Sequence, residues 1–93
     1  MSDLTHLPNI GPTLSKKLAA AGITSYDELA AVGSVEAVLR IKDQNLSTCY
    51  SMLFAVEGAI QDIRWFALPK QERLLLKQEY DHARSIEMEQ HLR

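Results

Sequence analysis

Apolar residues recur at steps of three and four through the middle of the chain: Leu46, Cys49, Leu53, Val56, Ile60 and Ile63, flanked by Tyr50, Met52 and Phe54. That spacing marks one face of a helix. It predicts a central helix over 46–64, with Leu53, Val56, Ile60 and Ile63 buried and Cys49 a small hydrophobe on the same buried stripe. Gly58 falls inside it. A helix-interior glycine costs about 1 kcal/mol relative to alanine, so it predicts a tight crossing by another helix rather than a hinge.

Punctuation divides the rest into helices. A first turn is expected over 3–7. A helix over 12–21 follows, with Leu14, Leu18 and Ala21 on one face and Gly22 supplying the left-handed position that ends it. In "GITSYDELAAVG" the pair Ser25 and Glu28 has capping-box spacing, as does Thr24 with Asp27, before a short helix closed by Gly33. Ser34 caps another over 35–41, which the polar turn "KDQN" ends. Pro69 suits the first position of a last helix running through 93. Leu74, Leu75 and Leu76 are dense enough to dock. Beyond Tyr80, Ala83, Ile86, Met88 and Leu92 trace no continuous stripe, so 81–93 is expected to be a solvated extension to a domain spanning 1–80. No segment sustains the two-residue alternation of a strand. The fold expected is all-α, a bundle of about five helices with a long C-terminal one.

Composition narrows the function classes. With 93 residues, 46% hydrophobic and 24% charged, the chain suits one self-folding globular domain. Ten basic and twelve acidic residues, interspersed, give a formal charge of -2 and no field that advertises a nucleic acid or an anionic membrane. The single cysteine excludes a disulfide framework and favours a reducing, cytoplasmic setting. No apolar run approaches a membrane span, and the first residues resemble no secretory signal. His6, His82 and His91 lack ligand spacing, so no metal and no cofactor is expected.

The densest chemistry lies in "LPNIGPTLSKKL". Asn9 tolerates the positive φ of a tight turn, Gly11 suits the N-cap, and Pro12 suits the first helical position, where its missing N–H is no loss. The amides of Gly11, Thr13 and Leu14 are then free of intrahelical partners at the positive end of the helix dipole. Such a terminus suits a phosphate, and Lys16 and Lys17 lie about one turn further on. The stretch resembles a helix-hairpin-helix element, which holds nucleic-acid backbones without reading sequence. The resemblance implies Asn9, Ile10, Gly11, Thr13, Leu14, Lys16 and Lys17 as the phosphate-binding set.

Together with "GITSYDEL", the "VG" step, "EGAI" and the following "RW", the chain from about Leu7 to Leu76 resembles the C-terminal domain of TfoX, a regulator of bacterial competence for DNA uptake. The resemblance implies a regulatory domain, without enzymatic activity, acting in transcription or competence through weak backbone contact with DNA. The alternative is a protein-interaction module that engages another regulatory protein through Trp65 and Phe66 or through Ile86 and Leu92 on the last helix, which could also pair two copies. Aromatic residues at a corner pack inward as a rule, so Trp65 and Phe66 are first expected in the core, with Tyr26 and Tyr50 stacked in the bundle. No nucleophile sits in a recognisable catalytic motif, and no small-molecule substrate or membrane contact is expected.

Overall fold

A computed structural model describes residues 4–91, with side chains through Glu87. Five α-helices form the bundle: α1 (Pro12–Ala20), α2 (Tyr26–Val32), α3 (Ser34–Asp43), α4 (Tyr50–Gln61) and α5 (Lys70–His91). A 3-10 turn at Leu4–His6 precedes α1, and another at Trp65–Ala67 joins α4 to α5. No strand occurs among the described residues.

Local chemistry explains the boundaries. Gly22, at φ 85°, ends α1 in a Schellman motif: its amide donates to Ala19 O at 2.9 Å and that of Ile23 to Leu18 O at 2.9 Å. Ile23 is thereby driven into the core. Ser25 is the N-cap of α2 and accepts from the Glu28 amide at 3.2 Å, which decides between the two capping-box registers. The Glu28 carboxylate reaches back to the Thr24 amide at 3.2 Å and to the Thr24 and Ser25 hydroxyls at 3.0 and 3.1 Å. The Thr24 amide first, then these hydroxyls, hold its pKa below the usual carboxylate value. Gly33, at φ 85°, closes α2 and opens α3 at once. Ser34 is therefore the first residue of α3 rather than its cap, and its buried hydroxyl donates to Glu57 Oε1 at 2.7 Å.

The core joins Leu18, Ile23, Leu29, Ala37, Val38, Ile41, Leu53, Val56 and Ala59, all at most 1% exposed, with Leu4, Ile10, Leu39 and Tyr80 at its margins. α4 runs through its centre and packs chiefly on α3. It is shorter than the apolar stripe suggests. Leu46 packs on the core from an extended segment, because Cys49, at φ -154° and ψ 168°, is the N-cap, and Asp62 turns the chain into the left-handed region at φ 61°. Leu53 and Val56 are fully buried, whereas Ile60 and Ile63 are half-buried and Cys49 is exposed. A stripe of apolar residues continues past a helix end when the flanking coil also lies on the core, and periodicity alone does not mark where the backbone changes.

α5 begins at Lys70, with Pro69 as the carbonyl acceptor for the Arg73 amide at 3.1 Å. Tyr80, 4% exposed, and the half-buried Leu76 and Ala83 seat it on the bundle, and the Tyr80 hydroxyl shares a 3.1 Å hydrogen bond with Thr48 Oγ1. Leu74 and Leu75 face outward, at 53% and 50% exposure. The triple leucine offers one residue to the core, since a helix turns through about 100° per residue and cannot bury three in succession against one surface. α5 continues unbroken past Tyr80.

Candidate nucleic-acid interface at the hairpin

The turn before α1 is held from within. Asn9 adopts φ 68°. Its Nδ2 donates to Ile63 O at 2.9 Å and to Ala55 O at 3.4 Å, while its Oδ1 accepts from the Trp65 amide at 3.1 Å. One side chain thus ties the hairpin to the middle of α4 and to the corner beyond it. Gly58 is what lets it in: a Cβ there would lie 2.6 Å from Asn9 Nδ2, 2.8 Å from Ile63 O and 3.3 Å from Trp65 Cα. The close approach expected at Gly58 exists, but it is made by the hairpin and by the corner after α4, not by a crossing helix.

Asn9 therefore shapes the turn, with both ends of its amide facing the protein. Ile10, 4% exposed, is a core residue. Gly11 is exposed, caps α1 at φ -93° and ψ -178°, and offers no side chain to its amides. The first intrahelical donor is the Ser15 amide, to Gly11 O at 3.0 Å, so the Thr13 and Leu14 amides stand ahead of the ladder as the sequence implied. Thr13 is exposed and Leu14 is half-buried.

The two lysines differ. Lys17 Nζ donates to Ser47 O at 3.0 Å and to Ser47 Oγ at 3.3 Å, which ties α1 to the segment leading into α4. Lys16 is exposed. A groove of about 560 Å³ runs beside Lys17 and is not lined by Lys16; Gly11, Pro12, Thr13, Leu14 and Lys17 line one side of it and Cys49, Ser51, Met52, Arg64 and Trp65 the other. The N-terminal turns of α1 and α4 thus open on one groove, and neither has a side-chain cap. Arg64 also lines a second hollow of about 700 Å³ on the other side of the hairpin, with Thr5 to Gly11. Sequence reasoning missed Arg64: the tertiary bond from Asn9 to the 63–65 corner brings it to the hairpin, and no local pattern announces such a bond.

The corner carries the second candidate set. Trp65 is 42% and Phe66 67% exposed, set edge to face with ring centroids 6.1 Å apart. Leu68, 1% exposed, fills the buried position that the aromatics were expected to take: the 3-10 turn buries none of its own residues, and the extended residue that follows it points inward instead. Tyr26 and Tyr50 are likewise 39% exposed; their hydroxyls donate to Ile60 O and Asp81 Oδ1, each at 2.7 Å. Ile86 is 43% exposed on α5, and the Leu92 side chain lies outside the described residues. No group of three or more metal-ligating side chains occurs among the described residues, and no helix there is long and apolar enough to cross a membrane.

The family profile of the TfoX C-terminal domain matches residues 1–80. The chain belongs to that family. Two crystal structures of proteins from Listeria monocytogenes are similar to it. The first, a triclinic form of an uncharacterised protein, is 44% identical with a TM-score of 0.81, covering 88% of this chain and 93% of that one. The second, a tetragonal form of a protein of unknown function, is also 44% identical with a TM-score of 0.80, covering 87% of this chain and 99% of that one. No curated protein matches. As a TfoX C-terminal domain the chain has an all-α fold in which the hairpin, α4 and the 62–65 corner form one fixed unit.

Proposed function

We propose that this TfoX C-terminal domain is a non-enzymatic cytoplasmic regulatory module that acts in transcription or competence by holding a nucleic-acid backbone at the hairpin, without reading sequence. One observation carries the reading: the uncapped N-terminal turn of α1 opens, together with Lys17 and Arg64, on the groove it shares with the N-terminal turn of α4. Amides at helix starts and fixed cations suit phosphate oxygens. Two or three such contacts support an affinity near the weak end of non-specific binding, ~10⁻⁴ M at physiological salt, so the domain adds hold rather than target choice. Phosphate groups would meet the amides of Gly11, Thr13 and Leu14 with Lys16, Lys17 and Arg64 beside them, while Asn9 and Ile10 set the turn.

Titration with a short DNA duplex, followed by amide NMR, tests this. The Gly11, Thr13 and Leu14 signals should move first. The variant Lys16→Glu with Arg64→Glu should weaken binding alike for unrelated sequences and lower the salt slope by about 0.9 per lost phosphate contact. Uniform small shifts and unchanged binding would remove the site. A second reading, a protein-interaction module, is favoured by the exposed Trp65 and Phe66 pair, because large aromatics left on a surface are typical interface anchors.

A further inference from the structure

The first turns of α5 carry a surface that the hairpin does not use. Lys70, Leu74 and Lys77 stand at spacings of four and three on one stripe of the helix, and Arg73 lies beside them. With Phe54 of α4 they line a groove of about 450 Å³. Its floor is apolar and its rim cationic, in a chain whose formal charge is -2. The only ion pair among the described residues is the one between Arg40 and Glu36, so none of these three cations is neutralised by a salt bridge there. Lys77 Nζ lies 4.9 Å from the centre of the Tyr50 ring. The nearby acid on the same helix, Asp81, accepts the Tyr50 hydroxyl at 2.7 Å. Arg73 adds a third cation to the lining, although its Nε is itself buried, without a hydrogen-bond partner.

We infer that this groove docks an amphipathic helix of another protein, one that presents an apolar side chain between carboxylates two turns apart. The rise of an α-helix puts Lys70 and Lys77 about 10.5 Å apart along the axis, the distance between acids seven residues apart on a partner helix. The apolar side chain meets Leu74 and Phe54, and the acids meet the rim. Nucleic acid fits less well, because a hydrated sugar-phosphate strand leaves the apolar floor uncovered. A second copy of the chain offers Glu72, Leu75 and Glu79 at similar spacing. Those residues line a separate groove of about 170 Å³ with Glu57, Gln61 and Leu76. A copy docking through them would make a head-to-tail contact, which closes only where its rotation completes a ring, whereas most soluble oligomers use self-complementary two-fold contacts.

The probe is a labelled, helix-favouring peptide of about fourteen residues, four helical turns, with glutamates seven positions apart and a leucine between them. A matched peptide carries lysines in their place. The acidic peptide should bind and shift the Phe54, Arg73 and Leu74 amides. Lys70→Glu with Lys77→Glu should weaken it roughly tenfold or more and confer binding on the lysine peptide. Circular dichroism confirms that the variant is folded, and Lys70→Gln with Lys77→Gln gives the same direction with a smaller loss. Equal binding of both peptides, or shifts confined to other surfaces, overturns the proposal. So does a DNA duplex that moves the same groove signals at lower concentration, or a native chain that sediments as an oligomer dispersed by Lys70→Glu with Lys77→Glu. The hairpin reading is tested on Lys16 and Arg64, so either can fail without the other.

Discussion

The hairpin corner and the C-terminal helix use polar and apolar residues in opposite senses. At the corner a polar residue works inward: Asn9 makes three hydrogen bonds to the backbone of 55, 63 and 65 in a space that Gly58 leaves open. On α5 apolar residues work outward: Leu74 and Leu75 are half exposed, while Tyr80 and Leu76 hold the helix down. Surface preference is a statistical tendency of residue types, and the backbone groups a fold leaves unpaired decide which individual side chain obeys it. A short turn that crosses two elements has carbonyls and amides to satisfy, and one asparagine does it. A long helix satisfies its own backbone and needs only one buried stripe.

The largest effect is expected where α5 is anchored. Tyr80→Ala should cost about 3 kcal/mol or more, by the cavity left among core residues. Urea unfolding would measure it, and a loss under about 1 kcal/mol would mean that α5 is held elsewhere. Tyr80→Phe removes only the bond to Thr48 Oγ1 and should cost about 1 kcal/mol.

At the corner, Gly58→Ala should cost about 1 to 3 kcal/mol, since the new methyl meets the Ile63 carbonyl and Trp65 Cα, which are backbone and cannot rotate away. Asn9→Ala should cost about as much, through the carbonyl and amide it leaves unpaired and through the positive φ that alanine resists. Asn9→Gly separates the two terms, because glycine keeps the turn and loses only the bonds. Equal melting temperatures for Asn9→Ala and Asn9→Gly would show that φ contributes nothing. Melting temperatures equal to that of the native chain would show that the three bonds contribute nothing either.

Much of the fold was legible because it rests on local chemistry. Gly22, the Ser25 and Glu28 pair and Gly33 each act within a few residues, and each ends or starts a helix where the sequence says, whereas α3 runs two residues into the "KDQN" turn expected to end it and stops at Asp43. Leu53 and Val56 were legible from period alone. What was not legible depends on contacts across the chain. The use of Asn9 rests on residues 46 to 56 positions away, Arg64 reaches the hairpin only through that bond, and Cys49 sits on the apolar stripe yet lies at a helix start. Of the residues read as a phosphate site, the amides of Gly11, Thr13 and Leu14 stand as their local turn dictates, while the roles of Asn9 and Lys17 are set by partners in α4 and before it.

The outward face of α5 should contribute little to stability. Leu74→Ser and Leu75→Ser are each expected within about 0.5 kcal/mol of the native chain, as for exposed positions elsewhere. Their effect should instead be on solubility and, for Leu74, on binding of the acidic peptide. A loss above about 1 kcal/mol for either, measured by urea unfolding, would mean that the leucines are more covered in solution than a single chain shows.

The smallest effect is expected at the distal end of the same helix. Past Ala83, which still packs on the core, Arg84, Ser85 and Ile86 are exposed, and the Ser85 hydroxyl returns to Asp81 O on its own helix at 3.0 Å. Ordering costs roughly 1 to 2 kcal/mol for each residue's backbone, and exposed side chains bury little apolar surface to offset it. Stability there comes from the helix already nucleated by the docked turns, which extends at little gain or loss per residue. Removing everything after Ala83 should therefore shift the melting temperature by no more than a few degrees, given that about 1 kcal/mol corresponds to 4 to 8 °C in a domain of this size. A fall beyond about 8 °C would show that the distal turns pack on the bundle. Sedimentation of the same truncated chain separates a further outcome: a drop from dimer to monomer at constant melting temperature would make these turns a contact between copies.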